Sequence, residues 1–294
     1  MVTVPERVFK RPIGIMFNTD RMSGIDLIDF AKRLEDQTIN TIWVTELFGR
    51  EPFATAGFLL ARTESIRVAT GIANVYARDA VAAAAAGQTL TEFSNGRFVL
   101  GLGVSNSGLA SQRGHVWEPP VRKLEMYIDS VRHSQITIPG DLVTPLHVAA
   151  HGPKMLDMVI PKVDGVSTFL QTPTHTQNVK AQLNGSTELN VSQMCLLCED
   201  RHEARRLARK ALAFYMTLDY YHRAWRKLGF SNPDFENGGS DALIDSLVAW
   251  GSPVDILTRI DEHHSAGATE VVVIPLNPEG GSHPHWPLIN AITE

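Results

Sequence analysis

One stretch in the N-terminal half limits the folds open to this chain. Residues 66–79 read as a short apolar strand followed by an irregular loop, and residues 96–105 as a second strand that ends in a glycine loop. The alanine-rich segment between them predicts a helix, which makes the two strands parallel. Parallel strands end at the same edge of a sheet, where α/β folds bind ligands, so we expect the loops 70–74 and 101–106 to lie side by side.

The remaining chain repeats this strand–helix unit. Eight strands alternating with helices predict a TIM barrel, (β/α)8, and we expect a single domain over residues 1–294 because such a barrel typically needs about 250 residues. An open doubly wound sheet is the alternative, but no G-x-G-x-x-G follows the first strand. The other six strands are predicted at residues 13–17, 41–45, 146–149, 165–169, 189–197 and 269–274.

Helices are predicted between the strands from apolar spacing and from capping residues such as Ser23 and Ser252. The segment 106–120 is predicted to be a long loop, and a long ordered loop inside a compact domain is usually functional. A second loop is predicted at 232–240. The predicted helices lie at residues 24–36, 53–62, 121–135, 155–160 and 252–265, with one long helix or a pair of helices at 200–228.

Composition excludes several classes of function. The chain has 27 basic and 32 acidic residues, a net charge of -5, which argues against nucleic-acid binding. No run approaches the ~18 apolar residues of a membrane helix, and the charged first twelve residues are not expected to be a signal peptide. Two cysteines favour a cytoplasmic protein. Their spacing, Cys195-x-x-Cys198, is that of redox motifs, but a structural role is the better interpretation.

Seven short segments, taken together and in order, carry a resemblance to a known family. They lie at residues 42–46, 68–72, 96–105, 120–127, 164–166, 251–255 and 266–273. In this order they resemble the bacterial luciferase-like family of flavin and deazaflavin oxidoreductases, and their spacing is most similar to the actinobacterial branch that uses coenzyme F-420, a deazaflavin hydride carrier. The resemblance implies a TIM barrel with the cofactor ring in its mouth, a non-proline cis peptide at Gly71–Ile72 that presses against the ring, and homodimerisation.

Two positions depart from related sugar-phosphate dehydrogenases. Those enzymes carry Asp-His after the second strand and Glu directly after the glycine loop, whereas this chain has Glu46-Leu47 and Val104. Neither leucine nor valine can transfer a proton. The substrate and the acid–base pair of those enzymes are therefore not carried over to this chain.

Three side chains are candidates for proton transfer. Glu46 ends the second strand, and a buried carboxylate there could act as a general base or bind the cofactor edge; a solvated or arginine-paired carboxylate is the alternative. Tyr76 and His115 lie on predicted mouth loops. Tyr76, like Trp117, could instead anchor its loop by packing.

Cofactor-binding candidates lie at four strand ends. Glycines allow backbone to approach a planar ring, or they simply form a tight turn. Two strand-to-helix junctions could hold the phosphate tail, because helix N-termini attract anions; ordinary capping is the alternative there. The candidates are Thr70, Gly71, Ile72, Asn74, Gly101, Gly103, Ser105, Asn106, His151, Gly152, Lys154, Thr172, Thr174 and His175.

The sequence thus predicts an oxidoreductase that transfers a hydride between coenzyme F-420 and a small organic substrate, with no metal. The loops 106–120 and 232–240 would select that substrate, but nothing in them names its chemical class. A monooxygenase that uses reduced FMN and O2 is the first alternative. A non-catalytic barrel that binds a flavin or deazaflavin is the second.

Overall fold

The computed structural model describes residues 11–37, 39–281 and 283–294. The fold is the predicted TIM barrel, with parallel strands and flanking helices. The described residues form ten strands: β1 Ile13–Phe17, β2 Ile39–Val44, β3 Arg67–Thr70, β4 Ala73–Asn74, β5 Phe98–Gly103, β6 Leu146–Ala149, β7 Gly165–Phe169, β8 Glu188–Leu197, β9 Val248–Gly251 and β10 Glu270–Pro275.

Helices occupy most of the connections. They are α1 Gly24–Asp36, α2 Pro52–Leu60, α3 Ala80–Phe93, α4 Ser107–Gln112, α5 Pro120–His133, α6 Pro153–Val159, α7 Pro173–Lys180, α8 Arg201–Leu212, α9 Asp219–Arg226, α10 Asp241–Leu247, α11 Pro253–Ser265 and α12 Trp286–Thr293. Three tighter 3-10 turns lie at Ile160–Lys162, Tyr215–Thr217 and Asn232–Gly238.

Several predicted elements need correction. The strands β4 and β9 were not predicted: β4 has only two residues, and β9 directly follows α10 with no turn residues to separate the two elements. The predicted loop 106–120 contains helix α4, and the predicted loop 232–240 is largely a 3-10 turn. Segment 200–228 forms the pair α8 and α9, one of the two predicted arrangements, whereas α10 and α12 were not predicted.

The described chain forms two compact units, and whether it is one domain stays a prediction. The first unit comprises Met16–Ser167 and Asn184–Glu188. In it β2 pairs with β3, β3 with β5, β5 with β6 and β6 with β7, all in parallel, while the short β4 adds to β5. All six residues of β5 are buried, as expected for a strand covered on both faces.

The amino ends of these strands enclose a buried histidine. The ring of His147 packs against Gly165 so closely that a Cβ at that position would lie 2.6 Å from it. Burial lowers the pKa of His147 to about 3, so its ring is neutral at pH 7. Its Nε2 lies 3.7 Å from the carboxylate of Glu188, and this contact is therefore not an ion pair. Residues at this face of a barrel serve stability.

The second unit comprises Arg11–Ile15, Thr168–Leu183 and Leu189–Glu294. Its strands pair in parallel: β1 with β10, β10 with β8 and β8 with β9. Trp225 is fully buried in its core and donates its indole N–H to the carbonyl of Leu170 at 3.0 Å. This bond ties helix α9 to the end of β7.

A second buried histidine joins three elements of this unit. The ring of His263, on α11, contacts the hydroxyl of Thr176 at 2.9 Å and the side-chain oxygen of Gln193 at 3.0 Å. Gln193 in turn donates to the carbonyl of Leu247 at 2.9 Å. Burial lowers the pKa of His263 to about 3. A neutral ring is therefore part of the folded structure.

Cys195 and Cys198 are free cysteines that no disulfide joins. Cys195 is buried, and this burial raises the pKa of its thiol to about 12, so the reactive thiolate does not form at pH 7. Cys198 is half-buried and its thiol lies 3.7 Å from the carbonyl of Asp200. In the described part of the chain, no helix combines the length and apolar character that a membrane span requires.

Candidate cofactor and substrate site

Glu46 directly follows β2, and its buried carboxylate is surrounded by donors. One oxygen accepts the backbone N–H of Asn74 at 2.8 Å and one guanidinium nitrogen of Arg78 at 2.9 Å. The other oxygen accepts the second guanidinium nitrogen of Arg78 at 2.8 Å and Nη1 of Arg113 at 3.3 Å. A single carboxylate thus holds together the loops that follow β2, β4 and β5.

The network around Glu46 is balanced in charge. Arg78 also contacts Glu51 Oε1 at 3.1 Å, and Arg113 donates to the backbone carbonyl of Leu47. Two carboxylates therefore face two guanidinium groups. Donors occupy both oxygens of Glu46, so its carboxylate is the arginine-paired group of the second alternative. A role for Glu46 as general base stays a prediction, and this geometry does not favour it.

Tyr76 and His115, both predicted on mouth loops, lie together in the structure. The buried Tyr76 ring stacks on Trp117 with centroids 5.6 Å apart, and the exposed His115 ring lies 5.7 Å from it. The Tyr76 hydroxyl oxygen accepts the backbone N–H of Glu118 at 2.9 Å. Tyr76 thus anchors the loop, while a phenol that accepts a hydrogen bond can still donate its own proton.

The glycine loop after β5 is explained first by strand packing. The Thr70 hydroxyl donates to the carbonyl of Gly101 at 2.7 Å and accepts its N–H at 2.9 Å. A Cβ at Gly101 would lie 1.9 Å from the backbone oxygen of Thr70. The packing of β3 against β5 therefore explains both Thr70 and Gly101. Contact of these two residues with a cofactor stays a prediction.

The Gly71–Ile72 peptide bond is cis, which confirms the geometry that the family resemblance implied. The side chain of Ile72 packs against Gly103, where a Cβ would lie 2.8 Å from Ile72 Cγ1. Glycine at position 103 thus lets the loop after β3 lie directly against the end of β5.

Asn74 carries an unused hydrogen-bond donor at this edge. The residue is 1% exposed, and its side-chain oxygen accepts the N–H of Tyr76 at 2.9 Å. Its side-chain nitrogen Nδ2 finds no hydrogen-bond partner among the residues that the structure describes. A buried donor without a partner is costly, unless a ligand supplies the acceptor. The pyrimidine part of a flavin or deazaflavin offers such carbonyl oxygens, so the donor fits this class of cofactor.

Ser105 and Asn106 follow β5 on the same edge. Ser105 adopts a left-handed backbone conformation, with φ at 58°. The side-chain oxygen of Asn106 accepts the N–H of Leu109 at 2.9 Å and thereby caps helix α4. The amide oxygen of Asn106 is therefore engaged in capping a helix where a loop was predicted.

The first phosphate candidate lies at the start of α6. Gly152 is its N-cap, with no side-chain capping bond and no atom within 4 Å of where a Cβ would stand. His151 is half-buried and Lys154 is exposed. The open space and the cation are compatible with an anion, and the phosphate role stays a prediction.

The second phosphate candidate starts α7 in the other unit. The Thr172 hydroxyl accepts the backbone N–H of His175 at 3.4 Å, which is the ordinary capping alternative. Thr174 is exposed and lines a shallow surface groove with Asp261 and Glu262. Those carboxylates would repel a phosphate at Thr174, so this geometry gives the prediction there no support.

In the part of the chain that the structure describes, no three His, Cys, Asp or Glu side chains come close enough to hold a metal ion. The side chains that sequence reasoning missed are Arg78 and Arg113 as partners of Glu46. Only the folded loops show which carboxylate these two arginines meet.

Comparison with known proteins identifies the family to which this chain belongs. A family model described as Luciferase-like monooxygenase matches residues 14–270. The chain therefore belongs to the luciferase-like monooxygenase family, which confirms the resemblance seen in the sequence and makes the chain a member of a family of enzymes.

The individual proteins that resemble this chain share only a minor part of its sequence. The 5,10-methylenetetrahydromethanopterin reductase of Methanolobus tindarius is 26% identical, over 86% of this chain and 91% of that protein. The coenzyme F-420-dependent tetrahydromethanopterin reductase of Methanopyrus kandleri shares the fold with a TM-score of 0.72 and 17% identity, over 97% of both chains. The FMN complex of the oxygenating constituent of 3,6-diketocamphane monooxygenase from Pseudomonas putida has a TM-score of 0.66 and 15% identity, over 97% of both chains.

Proposed function

We propose that this protein is a coenzyme F-420-dependent oxidoreductase that transfers a hydride to or from a small organic substrate. The observation that carries the proposal is the buried Nδ2 donor of Asn74, which has no hydrogen-bond partner among the described residues. Support for F-420 in particular comes from the relatives, because a sequence relative is a reductase and a structural neighbour of related name depends on F-420.

The protein's own side chains and backbone groups would bind and orient the cofactor and the substrate. Asn74 Nδ2 would donate to a carbonyl oxygen of the ring system, and the exposed side chain of Lys154 would meet the phosphate tail. When bound, F-420 supplies a ring carbon that accepts or donates a hydride. The protein's part is then to hold the substrate near that ring and to exclude water.

The network centred on Glu46 keeps three mouth loops in one arrangement. Because Glu46 binds Arg78, Arg113 and the backbone of Asn74, the donor of Asn74 is held in place by the same carboxylate. Tyr76 and then His115 are the better placed proton donors, since Tyr76 is buried beside Asn74 and His115 lies against its ring.

A reduced-FMN monooxygenase is the second candidate, favoured by the family's description and by the FMN-bound neighbour. An FMN ring offers the same carbonyl acceptors to Asn74, so the fold does not decide between the two. Homodimerisation and a cytoplasmic location stay predictions.

Anaerobic binding titrations test the proposal. Wild-type protein should bind F-420 in preference to FMN, and Asn74→Ala should weaken binding by about tenfold, as expected for one lost hydrogen bond to a buried donor. The exposed Asn184→Ala serves as the matched control and should bind like wild type. Preference for FMN would favour the monooxygenase, while failure to bind either cofactor, or equal binding by Asn74→Ala, would contradict the assignment of this site.

A further inference from the structure

Three large apolar side chains are exposed on loops at the carboxyl ends of β2 and β5. Leu47 is 43% exposed, Phe48 61% and Val116 84%. We call these three residues the apolar lip. Loops at this end of a barrel form its active site, so their side chains are placed to meet a substrate rather than to support the fold.

Arg113 connects the two loops of the lip. It donates to the backbone carbonyl of Leu47, and its guanidinium carbon lies 5.7 Å from the centre of the Phe48 ring. Val116 follows Arg113 by three residues, and the next residue, Trp117, is fixed by its stack on Tyr76. The lip is therefore held in position from both sides although its own side chains are open to solvent.

The two arginines that the lip loops hold are paired with carboxylates. Arg78 and Arg113 contact Glu46 and Glu51. An anionic substrate would have to break one of these pairs to gain either arginine as a partner, and a cationic substrate would have to displace an arginine. Each exchange costs desolvation without adding a new charge partner, so the lip favours a ligand without charge.

We infer, on the basis of the proposed function, that the substrate is an uncharged and largely apolar molecule whose apolar part packs on the lip. Exposed apolar groups at a binding cleft become favourable when a ligand removes them from water, in proportion to the area covered.

A matched pair of fluorescent probes tests the inference. N-phenylnaphthylamine is neutral, and anilinonaphthalenesulfonate has the same rings with one added negative charge. Wild-type protein should bind the neutral probe more tightly. Phe48→Ser and Val116→Ser should each weaken it, Phe48→Ser by roughly tenfold, as expected for loss of an aromatic contact surface.

The control is Phe93→Ser. Phe93 is also exposed, at 78%, but it ends α3, which runs back toward the amino ends of the strands. Its replacement should leave probe binding unchanged. Binding of both probes with equal affinity, or insensitivity to Phe48→Ser and Val116→Ser, would overturn the inference. So would a change of oligomeric state in either lip variant, measured by sedimentation, because the lip would then be a subunit contact.

Titration of the same variants with F-420 separates this inference from the proposed function. The lip variants should bind F-420 like wild type, since none of their side chains contacts Asn74. If F-420 fails to bind wild type while the neutral probe still depends on Phe48, the lip is a binding surface and the proposed function is wrong. If F-420 binds and the neutral probe does not, the inference about the substrate is wrong and the proposed function stands.

Discussion

Replacing Glu46 by glutamine should destabilise the fold through the network it centres. The Glu46 side chain is 5% exposed, and those of Arg78 and Arg113 are 15% and 22% exposed. Removing one partner of a buried ion pair costs about 3–5 kcal/mol, because the other charge is left without compensation. Glutamine keeps one acceptor oxygen, and Arg78 keeps its contact with Glu51, so we expect the lower end, about 3 kcal/mol.

Urea unfolding followed by far-UV circular dichroism measures this loss. A decrease of about 3 kcal/mol corresponds to a fall of roughly 6 °C in Tm for a domain of this size. Glu203→Gln is the matched control. Glu203 also holds an arginine through two hydrogen bonds, from Arg206 at 2.7 and 2.6 Å, but both side chains are exposed on α8. Its replacement should leave the unfolding midpoint unchanged, because exposed pairs contribute little.

The stability result bears directly on the role of Glu46. Equal midpoints for wild type, Glu46→Gln and Glu203→Gln would refute the view that Glu46 holds the mouth loops together. If Glu46→Gln instead abolished turnover while leaving stability and cofactor binding intact, the carboxylate would be a proton-transfer group, as the sequence first suggested.

Three further predictions concern buried groups. The pKa values of His147 and His263 are about 3 in the folded protein, against 6.5 for an ordinary histidine, so the unfolded chain binds more protons between these values. The unfolding free energy should therefore fall as the pH falls from 6.5 toward 3, by at most about 1.4 kcal/mol per pH unit for each histidine. Urea midpoints from pH 7 to pH 5 measure the slope, and a flat profile would contradict it. Gly165→Ala should cost about 1–3 kcal/mol in urea unfolding, since its Cβ would lie 2.6 Å from the buried ring of His147, whereas Gly185→Ala, with open space around it, should not reproduce that loss. Trp225→Phe should lose about 1–3 kcal/mol by removing the indole hydrogen bond that ties α9 to the end of β7, and an unchanged Tm would show that this bond is dispensable.

The alternation of strands and helices was predictable because it depends on local periodicity. The strands 13–17, 146–149 and 165–169 have the predicted bounds, as does the helix Gly24–Asp36, whose capping residue Ser23 accepts the N–H of Asp26. Failures occur where the local signal is short or ambiguous. The strand β4 has two residues, and Asn106 could equally have faced the mouth or capped a helix.

The candidate site was predictable in position but less so in role. Glu46, Asn74 and Tyr76 follow neighbouring strands, and the structure brings them into contact. Their roles depend on partners far away in the chain. Glu46 meets Arg113, 67 residues away, and Gly101 is required by the carbonyl of Thr70, 31 residues away.

The sequence by itself therefore determined the barrel and the family, and it predicted the edge at which a ligand would bind, because apolar spacing, capping residues and ordered motifs are local properties of the chain. Only the tertiary structure decided which side chains have their hydrogen-bonding capacity satisfied by the protein. It showed that the carboxylate of Glu46 is occupied by two arginines and that the amide nitrogen of Asn74 is buried without a partner. Hydrogen bonds and ion pairs depend on distances of about 3 Å between atoms, and for residues far apart in sequence those distances are fixed only when the chain is folded.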